Sequence, residues 1–213
     1  MEKMLIAKTS VVQSKAPKQD IPQDLIYEEL NGKPIYFRDY KAVLNHEKTL
    51  DDVMATGRLQ TLIINAIQEH LILNHRQEGF KYLSNEVGIH IALNSNLSCD
   101  LVGFDKTLLA ASEDDIKYYN FPPEFVIEVD TNGDFSNIAF EAYLFEKSRK
   151  LLEFGVKKVF WILTASQTVT IATIDSDVWT TQLWHKPIEI FDGHPLVLQD
   201  LFRESGIKFT YIE

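Results

Sequence analysis

The chain has 213 residues, of which 45% are hydrophobic and 24% are charged, an ordinary composition for a globular protein of one domain. Its formal net charge of −10 disfavours unspecific binding to nucleic acid, because that binding depends on lysine and arginine. No apolar run approaches the roughly 18 residues of a membrane-spanning helix, and a lone cysteine excludes an internal disulfide. We therefore expect a cytoplasmic protein that does not contact a membrane.

The N-terminal region divides into a polar leader and the start of a domain. The first 24 residues carry two prolines and no sustained periodicity, which predicts an arm in front of a single domain over residues 25–213. That domain begins with a predicted β-hairpin, whose strands at 25–30 and 34–37 flank the turn Asn31-Gly32.

The middle of the chain predicts one helix and three strands. Apolar residues at helical spacing predict a helix over residues 58–74. Alternating apolar residues predict a strand over 87–93 with one buried face, and a second strand follows at about 100–104. The continuous apolar run Phe125–Val129 is typical of a strand that is buried on both faces.

The C-terminal part predicts a second long helix and more strands. The helix spans residues 138–154 and ends at Gly155. A strand at 159–163 follows, then an antiparallel pair at 168–174 and 178–183, and a short helix near the C-terminus. This order of elements predicts a mixed β-sheet flanked by helices, of the α/β or α+β class.

Lys147 has an unusual position in the second long helix. If its stem packs against the apolar face, the amine either reaches solvent or stays buried and needs a carboxylate partner. The residues three, four and seven positions away are all apolar or aromatic: Phe140, Tyr143, Leu144, Leu151 and Phe154.

Two carboxylates in neighbouring predicted strands could be that partner. Glu128 lies late in the apolar strand, where open sheets present ligand-binding groups, and Asp100 opens the strand upstream. Alternatively, Glu128 turns to solvent and Asp100 caps a turn. Taken with Lys147, the two oxygen ligands suit Mg²⁺ or Mn²⁺, and the ammonium can orient an attacking water. The three residues indicate a metal-dependent hydrolase.

The same residues resemble the Uma2 family of the PD-(D/E)XK nuclease superfamily. The resemblance depends on Asp100, on the segment Pro123-Glu-Phe-Val-Ile-Glu-Val129, and on Lys147 placed eight residues before Gly155-Val156. The segment Tyr27-Glu-Glu-Leu-Asn-Gly32 matches the family more loosely. The resemblance implies a restriction-endonuclease-like fold with a mixed central β-sheet flanked by helices.

The resemblance also implies a function. It suggests a Mg²⁺- or Mn²⁺-dependent phosphodiesterase, an endonuclease that cleaves DNA by a metal-activated water and assembles as a homodimer. Asp100 and Glu128 would bind the metal, and Lys147 would be the catalytic lysine that has moved from the strand to the helix. Glu28 or Glu29 would be a further acidic ligand from the N-terminal segment.

Several residues depart from the family pattern. Asp130 stands where the superfamily usually has lysine, and it either adds a third carboxylate to the site or shapes the following turn. Cys99 replaces the proline before Asp100, and Tyr143 replaces a frequent aspartate. The missing lysine at position 130 and the acidic composition favour an alternative, a catalytically inactive protein of the same fold that serves as a homo-oligomeric binding or assembly module.

The six histidines show no spacing typical of a metal site. His70 and His75 are five residues apart, so we expect them to point to different faces of the first long helix.

Overall fold

The computed structural model describes residues 21–54, 57–93, 95–112, 116–129 and 139–209. Almost all of the predicted N-terminal arm lies outside the described residues. Where the description begins, a short 3₁₀ turn leads into the first strand.

Ten strands and six α-helices occur in the described part of the chain. The strands are β1 (Ile26–Leu30), β2 (Lys33–Tyr36), β3 (Phe80–Ala92), β4 (Ser95–Asp105), β5 (Phe125–Val129), β6 (Lys158–Leu163), β7 (Thr168–Thr173), β8 (Thr180–Leu183), β9 (Pro187–Phe191) and β10 (His194–Val197). The helices are α1 (Tyr40–Leu44), α2 (Leu50–Met54), α3 (Arg58–Asn74), α4 (Lys106–Ala111), α5 (Phe140–Phe154) and α6 (Leu198–Glu204).

Eight of these strands form one mixed sheet. Its order is β2-β1-β4-β5-β6-β7-β8, and β3 pairs with β4 as well. β5 and β6 are parallel, and α5 lies between them in the chain, which is the usual crossover between parallel strands. The other pairs in this sheet are antiparallel, and β9 and β10 form a separate hairpin.

The long strand β4 has an interruption along one edge. β3 pairs with one edge of β4 from Ser95 to Asp105, so β1 and β5 must share the other edge. β1 pairs there at Asn96, whereas β5 pairs from Leu101 onwards. Between these points β4 has no strand partner on that side, which leaves a notch in the sheet where side chains can reach backbone groups.

Helices cover both faces of the sheet. On one face, α3 and α6 pack against residues such as Leu101 and Ile127. On the other face, α5 packs against residues such as Val126 and Trp161. Both sides of β5 are therefore in a core, and all five of its residues are buried, as the continuous apolar sequence predicts.

Most predicted elements are confirmed. The hairpin turn Asn31-Gly32 has φ values of 54° and 69°, the left-handed geometry that this dipeptide favours. Helix α3 and strand β5 have the predicted bounds, and Gly155 ends α5 with a φ of 117°. Strands β3 and β4 are longer than predicted, because polar residues such as Asn85-Glu86 in β3 and Ser95-Asn96 in β4 interrupt the apolar pattern.

Candidate active site

Lys147 is fully buried at the centre of a charged cluster. Its Nζ donates a hydrogen bond to Glu28 Oε1 at 2.7 Å and another to the carbonyl oxygen of Ser98 at 2.6 Å. Nζ also lies 3.0 Å from Glu128 Oε1 in an ion pair. The side chain is 0% exposed, so the buried alternative is confirmed and the amine does not reach solvent.

The notch in the sheet provides the backbone part of this cluster. Ser98 lies on β4 between the points where β1 and β5 pair with it. Its N–H donates to Glu28 Oε1 at 3.0 Å, and its carbonyl accepts from Lys147. Two side chains thus supply the hydrogen bonds that a neighbouring strand would otherwise make.

Glu28 is held from two directions. Besides Lys147 and Ser98 at Oε1, it accepts a hydrogen bond at Oε2 from the Tyr143 hydroxyl, at 2.6 Å. Tyr143 lies one helical turn before Lys147 on α5, so one helix face positions both groups. Tyr143 therefore has a structural role, because its hydroxyl fixes the Glu28 carboxylate beside Lys147.

Glu128 is buried against the same ammonium. Its Oε1 has the ion pair with Lys147 but no hydrogen bond to any part of the chain that the structure describes. Burial raises the pKa of Glu128 well above its ordinary value, and the nearby charges of Asp100 and Glu28 add to this, whereas Lys147 opposes it. A cation in addition to Lys147 would stabilise the ionised form.

Asp100 lies on β4, the strand next to β5, directly before Leu101, which pairs with Ile127. Its Oδ2 accepts the backbone N–H of Val129 at 2.7 Å, and Gln60 of α3 donates Nε2 to both oxygens at 3.1 and 3.2 Å. Burial, followed by the charge of Glu86, raises the pKa of Asp100 to about 7, although the Val129 N–H lowers it.

The buried charges do not balance. Among the described residues of the cluster, three carboxyl groups are buried, those of Glu28, Asp100 and Glu128, together with one cation, Lys147. Burial disfavours the charge on Lys147, but Glu128 and Glu28 outweigh it and raise the pKa of Lys147 well above its ordinary value, so the lysine stays protonated. With all groups ionised, the cluster carries an excess of negative charge, which either protons or a cation must neutralise.

Of the three residues singled out in the sequence, Glu128 contacts Lys147, whereas Asp100 contacts Gln60 and the Val129 N–H and interacts with Glu128 and Lys147 through its charge. Of the two N-terminal glutamates, Glu28 is in the cluster and is buried, whereas Glu29 is half-buried on the other side of β1. Asp130 lies outside the described residues.

Glu86 was missed by the sequence analysis. It accepts a hydrogen bond from the Ser98 hydroxyl, and its charge acts on Asp100. Asn85 and Glu86 have positive φ values of 82° and 55°, and they shift the register between β3 and β4. The signal for this irregularity was the Asn-Glu pair directly before the alternating residues that begin at Val87.

Within the described residues, no three His, Cys, Asp or Glu side chains already surround one point that could hold a metal ion. The ammonium of Lys147 lies between Glu28 and Glu128 and keeps their oxygens turned towards itself. The described helices also include none that is long and apolar enough to span a bilayer.

Comparison with known proteins gives a likeness in structure. No family model and no curated protein matches the sequence. A crystal structure of a candidate nuclease of DUF820, a Uma2-like family, from Anabaena variabilis matches with a TM-score of 0.61. The match covers 84% of this chain and 90% of the other, at 13% sequence identity. The chain thus has a large mixed central sheet flanked by helices, as predicted, and shares this fold with a nuclease-like protein.

Proposed function

We propose that the protein is a Mg²⁺- or Mn²⁺-dependent phosphodiesterase that cleaves nucleic acid. The observation that carries the proposal is the excess of buried carboxyl groups in the described cluster: Glu28 and Glu128 contact Lys147, and Asp100 is buried on the neighbouring strand. A buried excess of negative charge is costly in a purely structural cluster, whereas a divalent cation would neutralise it. The nuclease-like fold supports the proposal independently.

The donor groups fit such an ion. Carboxylate oxygens are the ligands that Mg²⁺ and Mn²⁺ prefer, and Glu128 Oε1 has no hydrogen bond within the described residues. Asp100 and Glu128 would hold the ion, and Glu28 could join them from β1. A bound divalent ion would supply Lewis acidity and charge neutralisation at the phosphate.

The other residues have positioning roles in this proposal. Gln60 and the Val129 N–H fix the Asp100 carboxylate, and Tyr143 fixes Glu28. Lys147 keeps its proton and provides a fixed positive charge beside the carboxylates, where a phosphate oxygen would be attracted.

The test is cleavage of DNA with Mg²⁺ or Mn²⁺ by the wild type and by Glu128→Gln. Glutamine keeps the shape of glutamate and resembles its neutral form, so the variant should fold, which circular dichroism can check. Cleavage should fall roughly 100-fold or more. Glu124→Gln is the matched control, because Glu124 lies just before β5 and forms an ion pair at the surface with Lys157. Equal cleavage by Glu128→Gln and the wild type would show that the activity comes from elsewhere.

One observation favours a second candidate function, a catalytically inactive assembly module. The Lys147 ammonium already contacts Glu28, Glu128 and the Ser98 carbonyl, and the cluster is not arranged as a metal cage within the described residues. In that case the cluster only joins β1 to α5. The wild type would then neither cleave DNA nor bind Mg²⁺, and the chain would assemble into a homo-oligomer in size-exclusion chromatography with light scattering.

A further inference from the structure

A group of histidines lies at the end of α3, apart from the acidic cluster. His75 follows the last residue of α3, and its ring centre is 5.7 Å from that of His70 and 5.0 Å from that of His194 at the start of β10. The expectation that His70 and His75 point to different faces is wrong, because the backbone leaves the helical conformation at His75, with a φ of −124°.

His75 is the fixed member of this group. Its N–H donates to the carbonyl of Leu71, and its carbonyl accepts from the N–H of Glu78 and from the hydroxyl of Tyr82. The residue is only 8% exposed, yet its Nδ1 has no hydrogen-bond partner within the described part of the chain. Packing against Phe191, with ring centres 5.1 Å apart, explains the position of the ring but not the unpaired nitrogen.

Two further donors lie beside it at the surface. His194 Nε2 is 3.9 Å from Glu78 Oε1, and the two side chains are 49% and 37% exposed. Two ligands of a tetrahedral zinc ion lie about 3.3 Å apart, given bonds of about 2.0–2.1 Å. A small rotation of these exposed side chains would therefore bring their donor atoms to the separation that a shared ion requires.

We propose that His75, His194 and Glu78 form a binding site for a transition-metal ion, with Zn²⁺ as the natural occupant. Two imidazoles and one carboxylate are a common ligand set for zinc, whereas Mg²⁺ and Mn²⁺ favour oxygen alone. Burial lowers the pKa of His75, which favours the neutral imidazole that a metal ion binds. The ion would tie the end of α3 to the β9–β10 hairpin.

The side chains of His75, His194 and Glu78 do not yet surround one point, since no group of three metal-binding donors exists among the described residues. The proposal therefore requires that His194 and Glu78 turn towards His75. Glu204 of α6 acts on the charge of His70 from the neighbouring helix, and it does not contribute to the proposed ligand set.

The experiment is a calorimetric titration of the full chain with Zn²⁺ after dialysis against a chelator. We expect one Zn²⁺ site that His194→Gln weakens roughly 100-fold or more, because a ligand is lost. His185→Gln, which changes an exposed histidine outside the group, and Glu128→Gln, which changes the acidic cluster, should leave that site intact. The last variant separates the proposed site from the metal proposed for catalysis.

The proposal is wrong if the wild type binds no Zn²⁺, or if Glu128→Gln abolishes all of the Zn²⁺ binding. It is also wrong if His194→Gln binds Zn²⁺ with the same affinity as the wild type. His194 is half exposed, so its replacement does not threaten folding. In support, the side-chain NMR signals of His75 and His194 should shift with one equivalent of Zn²⁺, while that of His185 stays in place.

Discussion

Replacing Lys147 by methionine tests whether its ammonium neutralises the buried carboxylates. Methionine keeps the unbranched stem and fills similar space, but it removes the cation that contacts Glu28, Glu128 and the Ser98 carbonyl at 2.7, 3.0 and 2.6 Å. Breaking a buried ion pair by removing one partner costs about 3–5 kcal/mol. We therefore expect the free energy of unfolding to fall by about that amount at pH 8.

The pH dependence makes this prediction more specific. Without Lys147, the folded protein can keep Glu128 buried only if this carboxyl takes up a proton that the unfolded chain does not bind at pH 8. Burial already raises the pKa of Glu128, and loss of Lys147 removes the charge that opposes this rise. A carboxyl whose pKa is higher in the folded state makes the protein less stable as pH rises. The loss of stability caused by Lys147→Met should therefore be smaller at pH 5 than at pH 8.

The assay is urea denaturation followed by circular dichroism, at pH 5 and at pH 8, for the wild type, Lys147→Met and Lys150→Met. Lys150 lies one helical turn later on α5 but is only half-buried, so its replacement should change stability by less than about 0.5 kcal/mol. A loss below about 1 kcal/mol for Lys147→Met at both pH values would refute the reasoning that one ammonium holds the cluster together.

Three other changes have defined outcomes. Asp100→Asn should raise the free energy of unfolding at pH 8 by up to about 4 kcal/mol and leave it unchanged near pH 4. The reason is that the pKa of Asp100 rises from 3.8 to about 7 on folding, so the stability of the wild type falls as pH rises through that range. Urea denaturation at the two pH values checks this. Glu28→Gln should reduce the rise in melting temperature that Mg²⁺ causes, whereas Glu29→Gln on the neighbouring position of β1 should not, as differential scanning fluorimetry can measure. Gly103→Ala should lower the free energy of unfolding by about 1–3 kcal/mol in thermal denaturation, because a Cβ there would overlap the ring of Phe125. In the control Gly57→Ala the new Cβ meets open space, so the loss of stability should be much smaller.

The sequence predicted the parts of the site that lie within regular elements. Glu128 stands in an uninterrupted apolar strand, and Lys147 stands on the apolar face of a helix. In both cases a charge breaks a local pattern, and the cost of burying a charge makes that break informative. The order of the predicted helices and strands identified the mixed sheet flanked by helices.

The remaining residues could not be predicted, because their positions depend on long-range pairing. Gln60 reaches Asp100 across 40 residues of sequence, and Tyr143 reaches Glu28 across 115. The choice between Glu28 and Glu29 depends on the register of β1, which has an irregularity between Ile26 and Glu28. A shift of one residue in a strand turns each side chain to the opposite face.

The hairpin β9–β10 was missed for a different reason. Its strands have only five and four residues, and the second begins with two exposed residues, His194 and Pro195, so the local pattern is short. The hairpin forms because Ile188, Ile190 and Leu196 bury themselves against the core that α3 and α6 cover. This contact also brings His194 to His75, a proximity that no local spacing indicates.

Calorimetric titration with Mg²⁺ tests most directly whether the buried cluster is a divalent-metal site. The wild type and Glu124→Gln should bind one Mg²⁺ ion with the same affinity, and Glu128→Gln should bind it at least about 10-fold more weakly. Binding should strengthen as pH rises through about 7, where Asp100 loses its proton. If the wild type binds no Mg²⁺, or if Glu128→Gln binds it equally well, the cluster is not a metal site and the proposed hydrolase function is wrong.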